Sequence, residues 1–478
     1  MSSLKEKTAK GLLWGGIHNG LQQLLNLIFG IILSRILSPS DYGMVGMLTI
    51  FSLMASILQE SGFTAALANR KERRHEDFNA VFWLNFFTGI ATYLLLFFLA
   101  PLIAAFYHTP ELTALARYSF LGFVIASLGT AHHAWLFCQL KVKQKAIIQL
   151  TSLTISGITG VTMALCGMSY WGIATQSIVY VTSNSILYWI YSGWRPTFSF
   201  TFSPLREMIG FSCKILITNL ATAFNNNILS VILGKFYTER AVGLFNQSNK
   251  WTSMGYSTIQ GMINGVAQPV LHDVINEQER QLRVFRKMLR FTSFVTFPCL
   301  FGLSLISYEL ILITITDKWA ESAHFMQLLC IGGAFIPIQG LYTNLLISKG
   351  RSDLYMWNTI LMGICQLASA LICYPYGLDT LIIAYVCINI GWMALWQYFI
   401  HREIRLSVWS ALRDILPFLV IASVCMAVAG FMASYTSNVY MSLLVKVCVA
   451  SILYIVIMKL SGSVTFNEAI HFLLKKKI

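Results

Sequence analysis

The sequence predicts an all-α integral membrane protein with about fourteen transmembrane helices: two six-helix lobes related by a parallel repeat, plus two C-terminal helices. Composition, the distribution of charge and an internal repeat lead to this prediction. Hydrophobic residues make up 56% of the 478 residues and charged residues only 11%, against roughly 25% in soluble proteins. The mean hydropathy is +0.65. So few charges cannot cover the surface of a soluble protein of this length, which excludes soluble, disordered and fibrous classes.

Apolar stretches long enough to cross a bilayer recur along the whole chain. A helix needs about 20 such residues to cross about 30 Å of hydrocarbon. The predicted spans are 12–36, 42–68, 80–106, 114–139, 147–168, 170–192, 208–234, 241–270, 290–315, 323–347, 354–375, 379–400, 412–434 and 440–460. The first stretch is too long for a signal peptide and is interpreted as a retained span. Little chain is left for a soluble domain.

The positive charge of the chain is distributed by loop. Its net charge is +14, and 26 of its 34 Lys and Arg residues fall in the termini and in every second loop. Cytoplasmic loops carry such an excess. The pattern therefore predicts both termini in the cytoplasm, and it accounts for the basic charge without a nucleic-acid partner.

An internal repeat with a shift of 200 residues supports two lobes. It places IILSRILSPSDYG, residues 31–43, over VILGKFYTERAVG, residues 231–243. Six spans separate the two copies, which predicts a parallel repeat about an axis along the membrane normal. The predicted domains are an N-terminal lobe at 1–192, a cytoplasmic linker at 193–207, a C-terminal lobe at 208–400, and two additional transmembrane helices with a basic tail at 401–478.

Polar residues form stripes within four of the spans. Spacings of three and four residues place the members of a stripe on one helical face. The stripes are His18, Gln22 and Asn26, with Asn19 and Gln23 beside them; Ser52, Ser56 and Glu60; Lys214, Thr218, Thr222 and Asn225, with Asn219 and Asn226 beside them; and Asn246, Lys250, Ser253, Ser257, Gln260 and Asn264. Interhelical hydrogen bonding is one interpretation. Because the stripes occupy matching spans, we favour a polar cavity shared by the two lobes.

The lysines give this cavity its predicted chemistry. Lys214 and Lys250 lie in mid-span, and carboxylates are scarce in neighbouring spans, so the cavity suits an anionic ligand such as a phosphate. Arg35 could join it or serve as an interfacial anchor. The candidate substrate-binding residues are Lys214, Lys250, Asn19, Gln22, Asn26, Arg35, Thr218, Asn219, Asn225, Asn246, Ser253, Ser257, Gln260, Asn264 and Glu60.

Motifs that would indicate catalysis are missing from the sequence. It contains no Walker motif, no paired carboxylates in a sizeable outer loop and no apparent Ser/His/Asp arrangement. The ten Cys residues lie in apolar stretches without a CxxC pair, as expected of small buried hydrophobic residues. We therefore expect no enzymatic activity, no cofactor, no metal site and no disulfide.

Four segments resemble the oligosaccharide flippases of the polysaccharide transporter family, and most of all its colanic acid exporter branch. They are SRILSPSDYGMVGM (34–47), WRPTFSFTFSPLREMIGFS (194–212), ILGKFYTERAVGLFNQSNK (232–250) and DKWAESAHFMQLLCIGGAFIPIQGLYTNLLISKGRSD (317–353). This family is part of the multidrug/oligosaccharidyl-lipid/polysaccharide exporter superfamily. Relatives often carry an acidic residue at the position of Asn227, and this departure argues against a cation-coupling site there.

The resemblance implies a flippase of the bacterial inner membrane. It would move an undecaprenyl-diphosphate-linked oligosaccharide, such as an O-antigen, capsule or exopolysaccharide repeat unit, from the cytoplasmic to the periplasmic leaflet by alternating access. Its partners would be this lipid-linked glycan, membrane lipids and a polysaccharide polymerase machinery. Three alternatives stay open: a flippase for lipid-linked peptidoglycan precursors, a multidrug extruder with an acidic cavity, and, from another class, a membrane polysaccharide polymerase or ligase.

Overall fold

A computed structural model of the chain consists of helices joined by short turns. It describes residues 4–60, 67, 74–139, 141–199 and 203–475. The first eight helices are α1 Leu4–Ile36, α2 Pro39–Glu60, α3 His75–Tyr107, α4 Leu112–Cys138, α5 Val142–Leu165, α6 Tyr170–Ser192, α7 Ser203–Phe236 and α8 Glu239–Asp273. The others are α9 Gln278–Leu305, α10 Ser307–Ile315, α11 Ala320–Gly333, α12 Ile336–Ser348, α13 Ser352–Cys373, α14 Leu378–Ile404, α15 Val408–Ala433, α16 Val439–Leu460 and α17 Val464–Lys475. No strand occurs within these described ranges.

Each predicted span falls on one helix or on two consecutive helices, except that the end of the second span, 61–66 and 68, lies outside the described residues. The ninth span corresponds to α9 and α10, and the tenth to α11 and α12. The tenth is interrupted at Ala334 and Phe335, and Pro337 lies in the first turn of α12, where a missing backbone N–H costs no helical hydrogen bond. Ten helical segments of the described chain are long and apolar enough to cross a membrane. The all-α membrane fold is confirmed, whereas fourteen crossings remain a prediction.

The polar α1, α7 and α8 are not among those ten segments. All three carry predicted polar stripes, which lower the mean hydropathy of a helix without shortening it. A hydropathy criterion alone therefore misses three of the four striped helices, although it includes the striped α2, and it also misses α6.

Contacts divide the chain into two compact units, Met1–Gly243 and Leu244–Ile478. In the first unit α7 packs against α2 and α3, although the repeat assigns α7 to the second lobe. The domain limits taken from the repeat remain a prediction.

The turn between α1 and α2 is closed by a capping box. The backbone N–H of Ser38 donates to Asp41 Oδ2 at 2.8 Å, and the N–H of Asp41 donates to Ser38 Oγ at 3.2 Å. Asp41 Oδ1 also accepts a hydrogen bond from Ser169, next to α6. A short sequence motif thus starts α2 and also ties the turn to the end of another helix pair.

Within the second unit, charge pairs at both ends of the helices connect α15 and α16 to α9 and α10. Near the predicted cytoplasmic end, the Arg286 guanidinium of α9 holds Asp414 of α15 with two bonds, of 2.6 and 3.0 Å. Near the opposite end, the Lys446 ammonium of α16 donates to Glu309 Oε1 of α10 at 2.6 Å. Bidentate and charge-assisted bonds of this length are the strong ones, so they fix the C-terminal pair of helices in register with α9 and α10.

Candidate functional site: polar faces of α1, α7 and α8

The stripe on α1 is largely accessible. Asn19 is exposed, whereas Gln22 and Asn26 are half-buried. Arg35, near the other end of α1, is also exposed. Among these residues, Asn19 and Arg35 are thus the ones with the larger exposed fraction.

Three of the predicted site residues cannot be placed. The side chains of Glu60, Lys214 and Thr218 lie outside the described residues, although α2 and α7 include their positions. On α7, Asn219 is exposed and Asn225 is buried at 8% exposure. Lys214 therefore stays a prediction, and Lys250 is the lysine that the structure places.

Within the second unit, one face of α8 packs against neighbouring helices. Ser248 Oγ donates to the carbonyl of Ser322 at 2.6 Å, and Thr252 Oγ1 lies 3.5 Å from Cys330 Sγ. Ser248 and Thr252 are fully or almost fully buried. The packed face of α8 thus carries polar residues that the predicted stripe did not include, because spacing alone cannot tell which face meets a neighbour.

Lys250 lies on the opposite face, since two positions along a helix turn the side chain by about 200°. It is exposed, and no hydrogen-bond or ion-pair partner of its ammonium occurs among the described residues. Ser253 is half-buried and donates to the carbonyl of Lys250 at 2.8 Å, and Ser257 is exposed. The ammonium of Lys250 and the hydroxyl of Ser257 therefore share this face, and neither has a tertiary partner among the described residues. Asn246 lies on the same face, one turn before Lys250.

The remaining part of the stripe faces α12. Gln260 Nε2 donates to Asn264 Oδ1 at 3.0 Å, and Asn344 Nδ2 donates to the same oxygen at 2.9 Å. A Cβ atom at Gly340 would overlap the amide of Gln260, so glycine is what lets α12 approach. At this end of α8 the polar residues make interhelical hydrogen bonds, the alternative interpretation of the stripe.

The repeated segments meet within the first unit. A Cβ atom at Gly43 would overlap the carbonyl oxygen of Glu239, and one at Gly243 would overlap that of Pro39. These two glycines are equivalent in the repeat. Lys235 adds a bond of 2.7 Å to the carbonyl of Phe106. We call this reciprocal glycine contact the outer clasp. The charge pattern predicts that the α1–α2 turn and the start of α8 lie on the outer side of the membrane.

The sequence of residues 32–324 matches the family model described as "Polysaccharide biosynthesis protein". The chain belongs to this family. Curated relatives match over most of their length. The teichuronic acid biosynthesis protein TuaB of Bacillus subtilis is 24% identical, over 95% of this chain and 96% of TuaB. The lipopolysaccharide biosynthesis protein WzxC of Escherichia coli is 23% identical, over 74% and 72%.

Solved structures of transporters share the fold of this family member. The lipid II flippase MurJ in an inward closed conformation superimposes with a TM-score of 0.73 at 15% identity, covering 94% of this chain and 99% of MurJ. An inward-facing multidrug resistance transporter of the MATE family and MOP superfamily gives a TM-score of 0.63 at 15% identity, covering 84% and 95%. The resemblance seen in the sequence is confirmed, and the chain is a multi-pass membrane protein.

Proposed function

We propose that the protein moves an undecaprenyl-diphosphate-linked oligosaccharide from the cytoplasmic to the periplasmic leaflet of the bacterial inner membrane by alternating access. The observation that carries this proposal is Lys250, an exposed residue in the interior of α8 whose ammonium has no hydrogen-bond or ion-pair partner among the described residues. A lysine within a span is costly unless it pairs or meets water. A ligand diphosphate supplies the missing negative charge.

The chemistry of the substrate explains why a protein is needed. An unpaired diphosphate cannot enter hydrocarbon without a large desolvation penalty. Lys250 supplies a positive charge, and Ser257, on the same face of α8, supplies a hydrogen bond to a phosphate or sugar oxygen. An inside-negative membrane potential favours outward movement of the anion by about 2.3 kcal/mol per charge per 100 mV.

The names of the relatives support a glycan as the cargo. TuaB and WzxC are named for teichuronic acid and lipopolysaccharide biosynthesis. The succinoglycan biosynthesis transport protein ExoT of Rhizobium meliloti is 22% identical, over 70% of this chain and 67% of ExoT. An inner-membrane location with both termini in the cytoplasm completes the proposal and rests on the charge distribution of the loops.

Lys250→Ala tests the proposal in cells that depend on this protein for glycan export. We expect export to fall at least tenfold at unchanged protein level, because each lost charge-assisted bond is worth about 1.5–3 kcal/mol. Lys250→Arg keeps the charge and should retain part of the export. Lys459→Ala is the matched control, because Lys459 is also exposed on a long helix. Normal export by Lys250→Ala would remove this residue from the substrate path.

A flippase for lipid-linked peptidoglycan precursors is the second candidate, favoured by the fold shared with MurJ. Depletion separates the two. Loss of the protein should accumulate lipid-linked oligosaccharide while peptidoglycan synthesis continues, and lysis with accumulated lipid II would instead support the second candidate. A multidrug extruder is disfavoured by the free ammonium, which repels cationic drugs. A polymerase or ligase would change glycan chain length in a reconstituted system that contains only this protein and its lipid.

A further inference from the structure

A cavity with several polar lining residues lies inside the first unit, among α4, α5 and α6. Its volume is about 320 Å³, within the range of roughly 300–1,000 Å³ typical of small-molecule sites. It lies between His133 on α4, Gln149 on α5 and Tyr188 on α6. At 1.5 Å per residue these positions are roughly 6–10 Å from the helix ends predicted to be cytoplasmic. The cavity therefore lies near the side from which the lipid-linked glycan would start.

Most of the lining surface is apolar, and uncharged hydrogen-bonding groups from three helices interrupt it. Thr130, His133, Gln149, Asn184 and Tyr188 contribute a hydroxyl, an imidazole, two amides and a phenol, and no carboxylate lines the cavity. Amides and hydroxyls both donate and accept hydrogen bonds. A ligand with many hydroxyl groups, each donor and acceptor, is complementary to such a wall. A cation would lack a counter-charge there.

Part of this hydrogen-bonding capacity is unused. Asn184 Oδ1 is buried and has no partner among the described residues, whereas a buried polar atom in a native protein usually has one. By contrast, the hydroxyl of Thr130 is satisfied by the carbonyl of Ala126 at 3.1 Å. A ligand in the cavity would therefore satisfy the amide oxygen of Asn184 by donating a hydrogen bond to it.

Two rings give the cavity an aromatic edge. The rings of His133 and Tyr188 meet edge to face, with centroids 5.3 Å apart. Gln149 of α5 lines the same cavity as these two rings. The charge that acts on His133 is the ammonium of Lys145. Positive charge nearby again disfavours a cation, and the ring faces suit the C–H surface of a sugar.

We propose that this cavity, which we name the α4–α6 pocket, is a subsite for one sugar residue of the transported glycan. The inference rests on the proposed function and names its recognition chemistry: side-chain amides bind sugar hydroxyls while Tyr188 and His133 pack against the ring. The pocket lining does not include Lys250, so the sugar and the diphosphate would be bound by separate groups. Selectivity for the glycan and affinity for the lipid diphosphate are then separable by mutation.

The test uses the full-length protein in lipid nanodiscs and free glucose, galactose and N-acetylglucosamine as probes. Saturation-transfer difference NMR should show a saturable signal with at least one of these sugars. Asn184→Leu should weaken that signal at least tenfold, and Gln149→Leu, on a different helix, should do the same. Thr182→Val is the matched control, because the hydroxyl of Thr182 bonds only to the carbonyl of Ile178 in its own helix, at 2.8 Å. A water-filled cavity alone gives no saturable signal with any probe, which overturns the proposal.

A second measurement separates the failure of this site from failure of the proposed function. Binding of bare undecaprenyl diphosphate and of the same lipid carrying the bound sugar is compared by native mass spectrometry. Wild type should favour the glycosylated lipid, and Asn184→Leu should bring the ratio to about one while still binding the bare lipid. If the ratio of glycosylated to bare lipid bound is the same in wild type and Asn184→Leu, only the sugar site is overturned. No binding of either lipid by wild type overturns the proposed function. Tyr188→Phe, which keeps the ring, reports on the hydroxyl if Asn184→Leu does not fold.

Discussion

Two lysines within predicted spans, Lys446 and Lys250, lie in opposite surroundings. The ammonium of Lys446 bonds Glu309 at 2.6 Å and the carbonyl of Leu305 at 3.0 Å, and its side chain is 15% exposed. Lys250 is exposed and has no partner within the described part of the chain. The contrast shows that a charge within a span is not by itself a sign of function. Pairing separates a structural lysine from one available to a ligand.

The same contrast applies to glycines. Gly43 is in the outer clasp, where a Cβ atom would overlap the backbone of Glu239. Gly261, on the side of α8 that carries Lys250, has no heavy atom within 4 Å of an added Cβ. Substitutions in closely packed regions should therefore change the stability of the protein, whereas substitutions on the open face of α8 should change transport. Four substitutions rank this difference by their effect on the free energy of unfolding.

Lys446→Ala should have the largest effect. It leaves the carboxylate of Glu309 buried without its cation, which costs about 3–5 kcal/mol. The hydroxyl of Ser442, which donates to Glu309 at 2.7 Å, cannot replace a charge. The apparent melting temperature of the protein in detergent measures the loss. The double variant Glu309→Leu with Lys446→Met should recover most of the stability, because an apolar pair replaces a buried ion pair at little cost. An unchanged melting temperature in Lys446→Ala would mean that the pair contributes nothing.

Gly43→Ala should come next, with a loss of about 1–3 kcal/mol from overpacking. The methyl group has to push the backbone of Glu239 away, so the outer clasp loosens. Gly20→Ala on α1 is the control, since an added Cβ there meets nothing within 4 Å. Thermal unfolding measures the loss, and cysteine cross-linking across the clasp should show a wider separation. Equal stability of the two variants would contradict the close glycine contact.

Gly261→Ala should act in the other direction. Alanine favours a helix over glycine by about 0.8–1.0 kcal/mol, and no neighbour opposes the added methyl group. The melting temperature should therefore rise slightly. A loss of stability comparable to that of Gly43→Ala would place Gly261 against a neighbour and would contradict an open face on α8.

Lys250→Ala should have the smallest effect on stability, within about 0.5 kcal/mol, as for surface positions without partners. Its effect on glycan export is expected to be large, as described above. Measuring both stability and glycan export on this variant tests the contrast between Lys250 and Lys446 most directly. A destabilised Lys250→Ala protein would show that the ammonium has a structural partner, like that of Lys446.

Much of the architecture was predictable from the sequence because the bilayer imposes simple rules. Apolar stretches of about 20 residues mark the helices, and within the described residues the predicted spans coincide with helices of the structure. The site was predictable only in part. Regular spacing identified the stripe of α8, but not that Gln260 and Asn264 turn to Asn344 while Lys250 does not. Spacing reports the face of a helix and carries no information about its neighbours.

The α4–α6 pocket illustrates the same limit. Its residues come from three helices, so no local pattern in the sequence connects Gln149 with Asn184. The sequence signals were a polar residue in each of several apolar helices and a pair of histidines, 132–133. Only packing brings them to one cavity and leaves Asn184 Oδ1 without a partner.

Membrane residence, helix positions, the alternation of basic charge between loops and the family were readable from the amino acids alone, because hydrophobicity and charge act over one helix or one loop at a time. The partner of Lys446, the freedom of Lys250 and the two reciprocal glycine contacts required the folded chain. Each of them depends on atoms far apart in sequence, such as the 137 positions that separate Glu309 from Lys446. Pair interactions of this kind are set by how helices pack, and helix packing is a property of the whole bundle.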